Sequence, residues 1–164
     1  MPNIELFKAS FDDLARANRY RVEGFGAPDD LKYMAKAATA PASTVGVVDA
    51  PYQGRIIKLP GDRTYADWDV TFSYNTNNED YDYFYQLHSF LNLEIANISI
   101  GLSDGKLPYG SVTLLNRTNG ADLKTWTIVG AIPFNISEIQ FGMDTNDTLA
   151  EFTVSLAYDY HLVT

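Results

Sequence analysis

Two aspartates two residues apart, Asp67 and Asp69, lie in the stretch GDRTYADWDVTFSYN, residues 61–75. Carboxylates at that spacing share one face of a strand and are close enough to serve as general acid and base. No nucleophile or metal-ligand set accompanies them, so the pair reads as a solvated acidic strip. Ser103 in GLSDG (101–105) matches the pattern of a hydrolase nucleophile elbow, but that elbow needs a helix after it, and Pro108 and Gly110 argue for a surface turn. His88 and His161 are the only histidines, and neither has a second ligand at metal spacing. DTNDT (144–148) opens like a calcium loop, yet Leu149 and Ser155 stand where the loop glycine and closing glutamate belong. Asn97, Asn116, Asn135 and Asn146 head N-x-[ST] triplets; with no secretion signal at Met1 onward they are turn and strand-end asparagines. The expectation is a protein with no catalytic, cofactor-binding or metal site.

The elements that would carry these residues are mostly strands. After Gly61, Asp62 and Arg63, read as a turn, the quoted stretch alternates Trp68, Val70, Phe72 and Tyr74 against Asp67, Asp69, Thr71 and Ser73, which predicts one dry and one wet face. Asp62 is placed to bond turn amides and Arg63 to bridge to a carboxylate, so Gly61, Asp62 and Arg63 are structural and Trp68 belongs to the core. Residues 150–160 repeat the alternation, with Phe152, Val154, Leu156, Tyr158 and Tyr160 facing in and Glu151 and Asp159 among those facing out. Further strands are expected at Tyr20–Val22, 110–117 and 124–133, and 31–39 reads as a hairpin partner of the first. Ser10, with Asp12 and Asp13, caps a short N-terminal helix. Phe84, Leu87 and Leu91 fall at helical spacing behind Glu79, Asp80 and Asp82, which predicts one amphipathic helix. Between Pro41 and Pro60 the apolar runs are too short and broken to form a core layer, so this segment is a projecting hairpin arm.

The 164 residues constitute one domain, 1–164, large enough to bury a core without staples. There is no cysteine, hence no disulfide framework, and no stretch approaches the roughly 18 apolar residues of a membrane span. The net charge of -9 is uneven: residues 61–100 hold one basic and seven acidic side chains, and 138–164 hold none and five. Such blocks repel a phosphate backbone, so sequence-specific nucleic-acid binding by those surfaces is disfavoured.

The stretch KAATAPASTVGVVDAPYQGRIIKLPGDRTYADWDVTF, residues 36–72, resembles the central segment of the tail tube proteins of T-even-like contractile-tailed phages. It shares Lys and Ala residues leading to a proline, a projecting arm, Gly-Asp-Arg-Thr, an aromatic and a Trp-led alternating strand. The ending IPFNISEIQFGMDTNDTLAEFTVSLAYDYH is similar to that family's ending, and the likeness covers most of the chain, diverging over 76–122. It implies a mainly β fold, an antiparallel sandwich or barrel with one flanking α-helix and a projecting hairpin arm, in hexameric rings that stack into a hollow tube. It also implies a sheath protein, a baseplate or tube initiator and a tape-measure protein as partners, and a place in the virion tail after assembly in the host cytoplasm. DNA would pass through without specific binding. On that basis Asp67, Asp69, Glu151 and Asp159 are expected to face the lumen, where carboxylates would keep phosphates from sticking. Val47, Val48, Ile56 and Ile57, with little to bury against in a lone subunit, are expected to pack on the next ring. Tube subunits of contractile injection or type VI secretion machines share the resemblance. A monomeric β-barrel that binds a small ligand is the alternative from a different class.

Overall fold

The computed structural model describes residues 4–5, 14–27, 31–92, 107, 109–144 and 147–164; the Ser10, Asp12 and Asp13 helix start, Ser103, Asn97 and Asn146 lie outside them. Strand-forming alternation dominates the result. In chain order the elements are β1 (Tyr20–Gly24), α1 (Leu31–Met34), β2 (Ala35–Ala38), β3 (Ser43–Tyr52), β4 (Arg55–Tyr65), β5 (Trp68–Ser73) and α2 (Glu79–Leu91). Then follow β6 (Gly110–Leu115), β7 (Asp122–Val129), β8 (Ile132–Ile136), β9 (Glu151–Ala157) and β10 (Tyr160–Val163).

Eight strands form two antiparallel four-stranded sheets, ordered β1-β6-β7-β10 and β2-β5-β9-β8, and β3 pairs with β4 alone. Facing apolar rows make the core: Val22, Val112 and Ile128 from the first sheet meet Val70, Phe72, Phe152, Val154 and Leu156 from the second. Trp68 is buried among them, with its ring 5.6 Å from that of Phe25 and its indole N–H donating to the Thr39 carbonyl at 2.6 Å. Tyr74 lies just beyond β5, half-buried, with its ring against Tyr81 and Phe152. Helix α2 starts at Asn78, and Glu79, Asp80 and Asp82 in its first turn favour the exposed amides. The helix buries Phe84 against Phe72, and Tyr83 donates a hydrogen bond to the Phe25 carbonyl at 2.5 Å.

Four expectations require correction. Residues 31–39 do not form a hairpin with the first strand: they split into α1 and β2, with β1 pairing β6 and β2 pairing β5 in the opposite sheet. The strand expected at 124–133 is two strands that change sheets at Gly130, whose φ of 70° turns the chain. The strand expected at 150–160 likewise ends at Ala157; after Asp159 the chain enters β10 in the first sheet, which leaves Tyr158 half-buried and Tyr160 exposed. These two corners interlock, because the Asp159 amide donates to the Val129 carbonyl at 3.1 Å and the Asp159 side chain occupies the space a Cβ at Gly130 would need. Finally, Gly61, Asp62 and Arg63 are not a turn but part of β4, at the bulge where the register shifts between Val45 and Val47. There the backbones of Gly46 and Gly61 approach so closely that a Cβ at Gly61 would meet Gly46 at 3.2 Å. Two glycines at a bulge produce the same sequence signature as a turn.

Candidate functional site

On the outer face of the second sheet, β5 and β9 set Asp69 opposite Ser155, Thr71 opposite Thr153, and Ser73 opposite Glu151. The two threonine hydroxyls are 2.9 Å apart and hydrogen-bonded. Glu151 forms an ion pair with Lys36, which the bulge in β2 brings across the sheet. Asp69 is exposed and makes no ion pair among the described residues. Asp67 belongs to no strand; it sits exposed in the two-residue connection Ala66–Asp67 between β4 and β5. Of the four carboxylates expected together, Asp69 and Glu151 share this face and Asp67 adjoins its strand. Asp159 does not join them, since the change of sheet carries it to the Gly130 corner.

The outer face of the first sheet is also hydroxylated, which the sequence reading missed. Ser111 lies opposite Thr127, and Thr113, which is itself buried, opposite Thr125, with the threonine hydroxyls 3.1 Å apart. Arg21, opposite Thr113, forms an ion pair with Glu23 at 3.0 Å and donates a hydrogen bond to Asp122 at 3.2 Å. The alternation of hydroxyls in GSVT and KTWT was the available signal, obscured by the apolar residues interleaved with them.

The arm is the third surface. Gln53 and Gly54, with φ of 45° and 79°, make a two-residue turn of the primed type that suits a twisted hairpin. Pairing of Tyr52 with Arg55, Ala50 with Ile57 and Val48 with Leu59 builds one apolar face that ends in Arg55. The other face pairs Pro51 with Ile56, Asp49 with Lys58 and Val47 with Pro60, and its Lys58–Asp49 ion pair is 2.6 Å long. The four arm residues expected to act together therefore divide, Val48 and Ile57 on one face and Val47 and Ile56 on the other. Leu59 and Tyr52 extend the Val48–Ile57 row, and only Ala50, Gly61 and Tyr65 of the whole hairpin are better than exposed. At its base, Tyr65 packs against Tyr158 and His161 with ring centroids 5.8 and 5.3 Å away, and the Tyr158 hydroxyl donates to the Ala42 carbonyl at 3.3 Å. Burial raises the Tyr158 phenol above its ordinary value, with Tyr65 and Asp67 adding in the same direction.

His88 is exposed on the last turn of α2, and no cluster of metal-binding side chains occurs among the described residues. No described helix is long and apolar enough to cross a membrane.

Residues 4–164 match the phage tail tube protein family. The chain is 30% identical over 154 residues to the tail tube protein of Enterobacteria phage T4, covering 90% of this chain and 91% of that one. It is 27% identical over 129 residues to the tail tube protein of Serratia phage KSP90, covering 79% and 72%. Its fold is similar to the sheath/tube terminator of an extracellular contractile injection system in the extended state, with a TM-score of 0.71, 15% identity, and 92% and 96% of the two chains covered.

Proposed function

The chain belongs to the phage tail tube protein family, and from that premise we propose that six copies form a ring and that rings stack into a hollow conduit through which the genome is ejected. The observation that carries this reading is the arm. Val48, Ile57 and Leu59 are each about half exposed in the lone subunit, and a hairpin of this composition gains little by itself. A contact between the arm and the next ring does not close on itself, so it propagates into a tube. The end strands of the two sheets, β1, β10, β2 and β8, each have a neighbour on one side only among the described residues. Continuing the sheets around a ring removes those edges.

The outer face of the second sheet is the proposed lumen lining, with Asp69 at its centre, Asp67 beside it and Glu151 held by Lys36. Carboxylates and hydroxyls there deny DNA the counterion release that would make it stick. Asp159 at its corner is proposed to lie at the margin of that lining. A sheath protein, a baseplate initiator and a tape-measure protein are the expected partners. The relatives in sequence are phage tubes, whereas the injection-system likeness is one of fold at 15% identity, which favours the phage assembly over the secretion machine.

Negative-stain electron microscopy with sedimentation velocity, over a concentration series and with baseplates added, tests the assembly. Sixfold rings and hollow filaments are expected. A chain that stays monomeric even on baseplates would overturn the reading.

A further inference from the structure

We infer that the apolar face of the arm seats in a groove on a second copy of this chain, the groove between the β8–β9 connection and Lys36; this rests on the stacked-ring reading above. The groove holds about 890 Å³, is bordered by Phe141, Met143 and Leu149, and runs beside the Lys36–Glu151 ion pair. Met143 is fully exposed and Phe141 is 85% exposed. Apolar side chains so open on a connection of this length mark a contact surface rather than a folding defect. The arm offers the complement. Val48, Tyr52, Ile57 and Leu59 form one exposed row, and at about 3.3 Å per residue its strands extend roughly 33 Å, most of the ~40 Å diameter implied by the radius of gyration of a domain this size. An arm of that length reaches well across a neighbour.

Charge selects the same pairing. Residues 43–65 carry Arg55, Lys58 and Arg63 against Asp49 and Asp62, a net cation in a chain of net charge -9. The connection carries Glu138, Asp144 and Asp147 with no basic residue between them, while Glu151 at its end is already paired with Lys36. Arg55 closes the apolar row at the tip, so the row enters the groove with a cation directed at an acidic rim. The opposite arm face, neutralised by its own Lys58–Asp49 pair, lacks that complement.

Because the chain has no cysteine, paired cysteines read the contact directly. Chains bearing Ile57→Cys and Met143→Cys, mixed, assembled on baseplates and oxidised, should give a disulfide dimer as the main product in tubes and none in unassembled protein. Ile56→Cys, on the other arm face, should link to Met143→Cys at least fivefold less. Leu149→Cys replaces Met143→Cys if that chain does not assemble. If tubes form and Ile57→Cys instead links to Thr127→Cys on the first sheet, or to neither groove position, the groove assignment is overturned while the role of the arm stands. If a chain lacking residues 47–56 still grows tubes, the role of the arm itself fails.

Discussion

The arm pair β3–β4 and the body pair β5–β9 are built alike and end in opposite environments. Both are antiparallel, with aliphatic residues directly opposed: Val48 with Leu59 in one, Val70 with Val154 in the other. Val70 and Val154 are completely buried because the first sheet covers them, whereas Val48 and Leu59 stay about half exposed, with no facing layer over them among the described residues. Pairing therefore supplies the shape of a hairpin and not its burial. The body draws its stability from a facing layer within the chain, and the arm has to find one outside it.

The largest effect that separates the two is assembly itself. Deleting residues 47–56 should abolish tube growth on baseplates while leaving the denaturation midpoint of the monomer nearly unchanged; a large loss of monomer stability would mean that the arm belongs to the core after all. Trp68→Ala should do the reverse, costing about 3–5 kcal/mol in urea denaturation, since the indole is buried against Phe25 and bonded to Thr39. A cost below about 1 kcal/mol would place Trp68 in an arm-like, uncovered setting. Gly110→Ala comes next, at about 1–3 kcal/mol of overpacking, because the added methyl would come within 1.9 Å of the tip of the Phe25 ring.

A smaller effect distinguishes the two sheet faces. Asp69→Lys should leave rings intact, slow DNA ejection and steepen its salt dependence, whereas Thr125→Lys on the first sheet should not. Equal responses, or none, would remove the second sheet as the lumen lining. The smallest effect lies at the base of the arm. The folded chain keeps the Tyr158 proton above the ordinary tyrosine value of 10.0, so the unfolded chain ionises first. Stability is intact below that pH and falls as pH rises through the folded value. Tyr158→Phe should flatten that alkaline decline in a pH series of urea melts.

Much of this architecture was legible from period alone. The alternation of Trp68, Val70 and Phe72, and of Phe152, Val154 and Leu156, identifies two strands that turn out to be neighbours, and Phe84 with Leu87 identifies the helix. Two broken segments around Pro51 identify the arm. What the period could not reveal is where a strand changes sheets, because alternation runs on through Gly130 and Asp159 while the chain bends beneath it. Partners distant in sequence were equally hidden: β1 finds β6 about ninety positions away, and Lys36 finds Glu151 115 positions away. The acidic strip was read from one strand at a time, so neither the cation that neutralises part of it nor the second hydroxylated face could appear. In the arm, the division of the four aliphatic residues between two faces follows from the pleat alone, since Val47 and Val48, and Ile56 and Ile57, are consecutive; what stayed hidden is the bulge at Gly46 and Gly61, which resembles a turn in sequence.

The arm joins the sandwich through Thr39–Ala42, Ala66–Asp67 and the packing of Tyr65 on Tyr158 and His161 at its base, and none of its tip residues takes part in the core. Selection on folding and selection on assembly therefore act on nearly separate sets of positions. An arm can drift, or be exchanged with that of a related virus, without the subunit losing its fold, and the change would register only in which subunits copolymerise when two such viruses share one host cell.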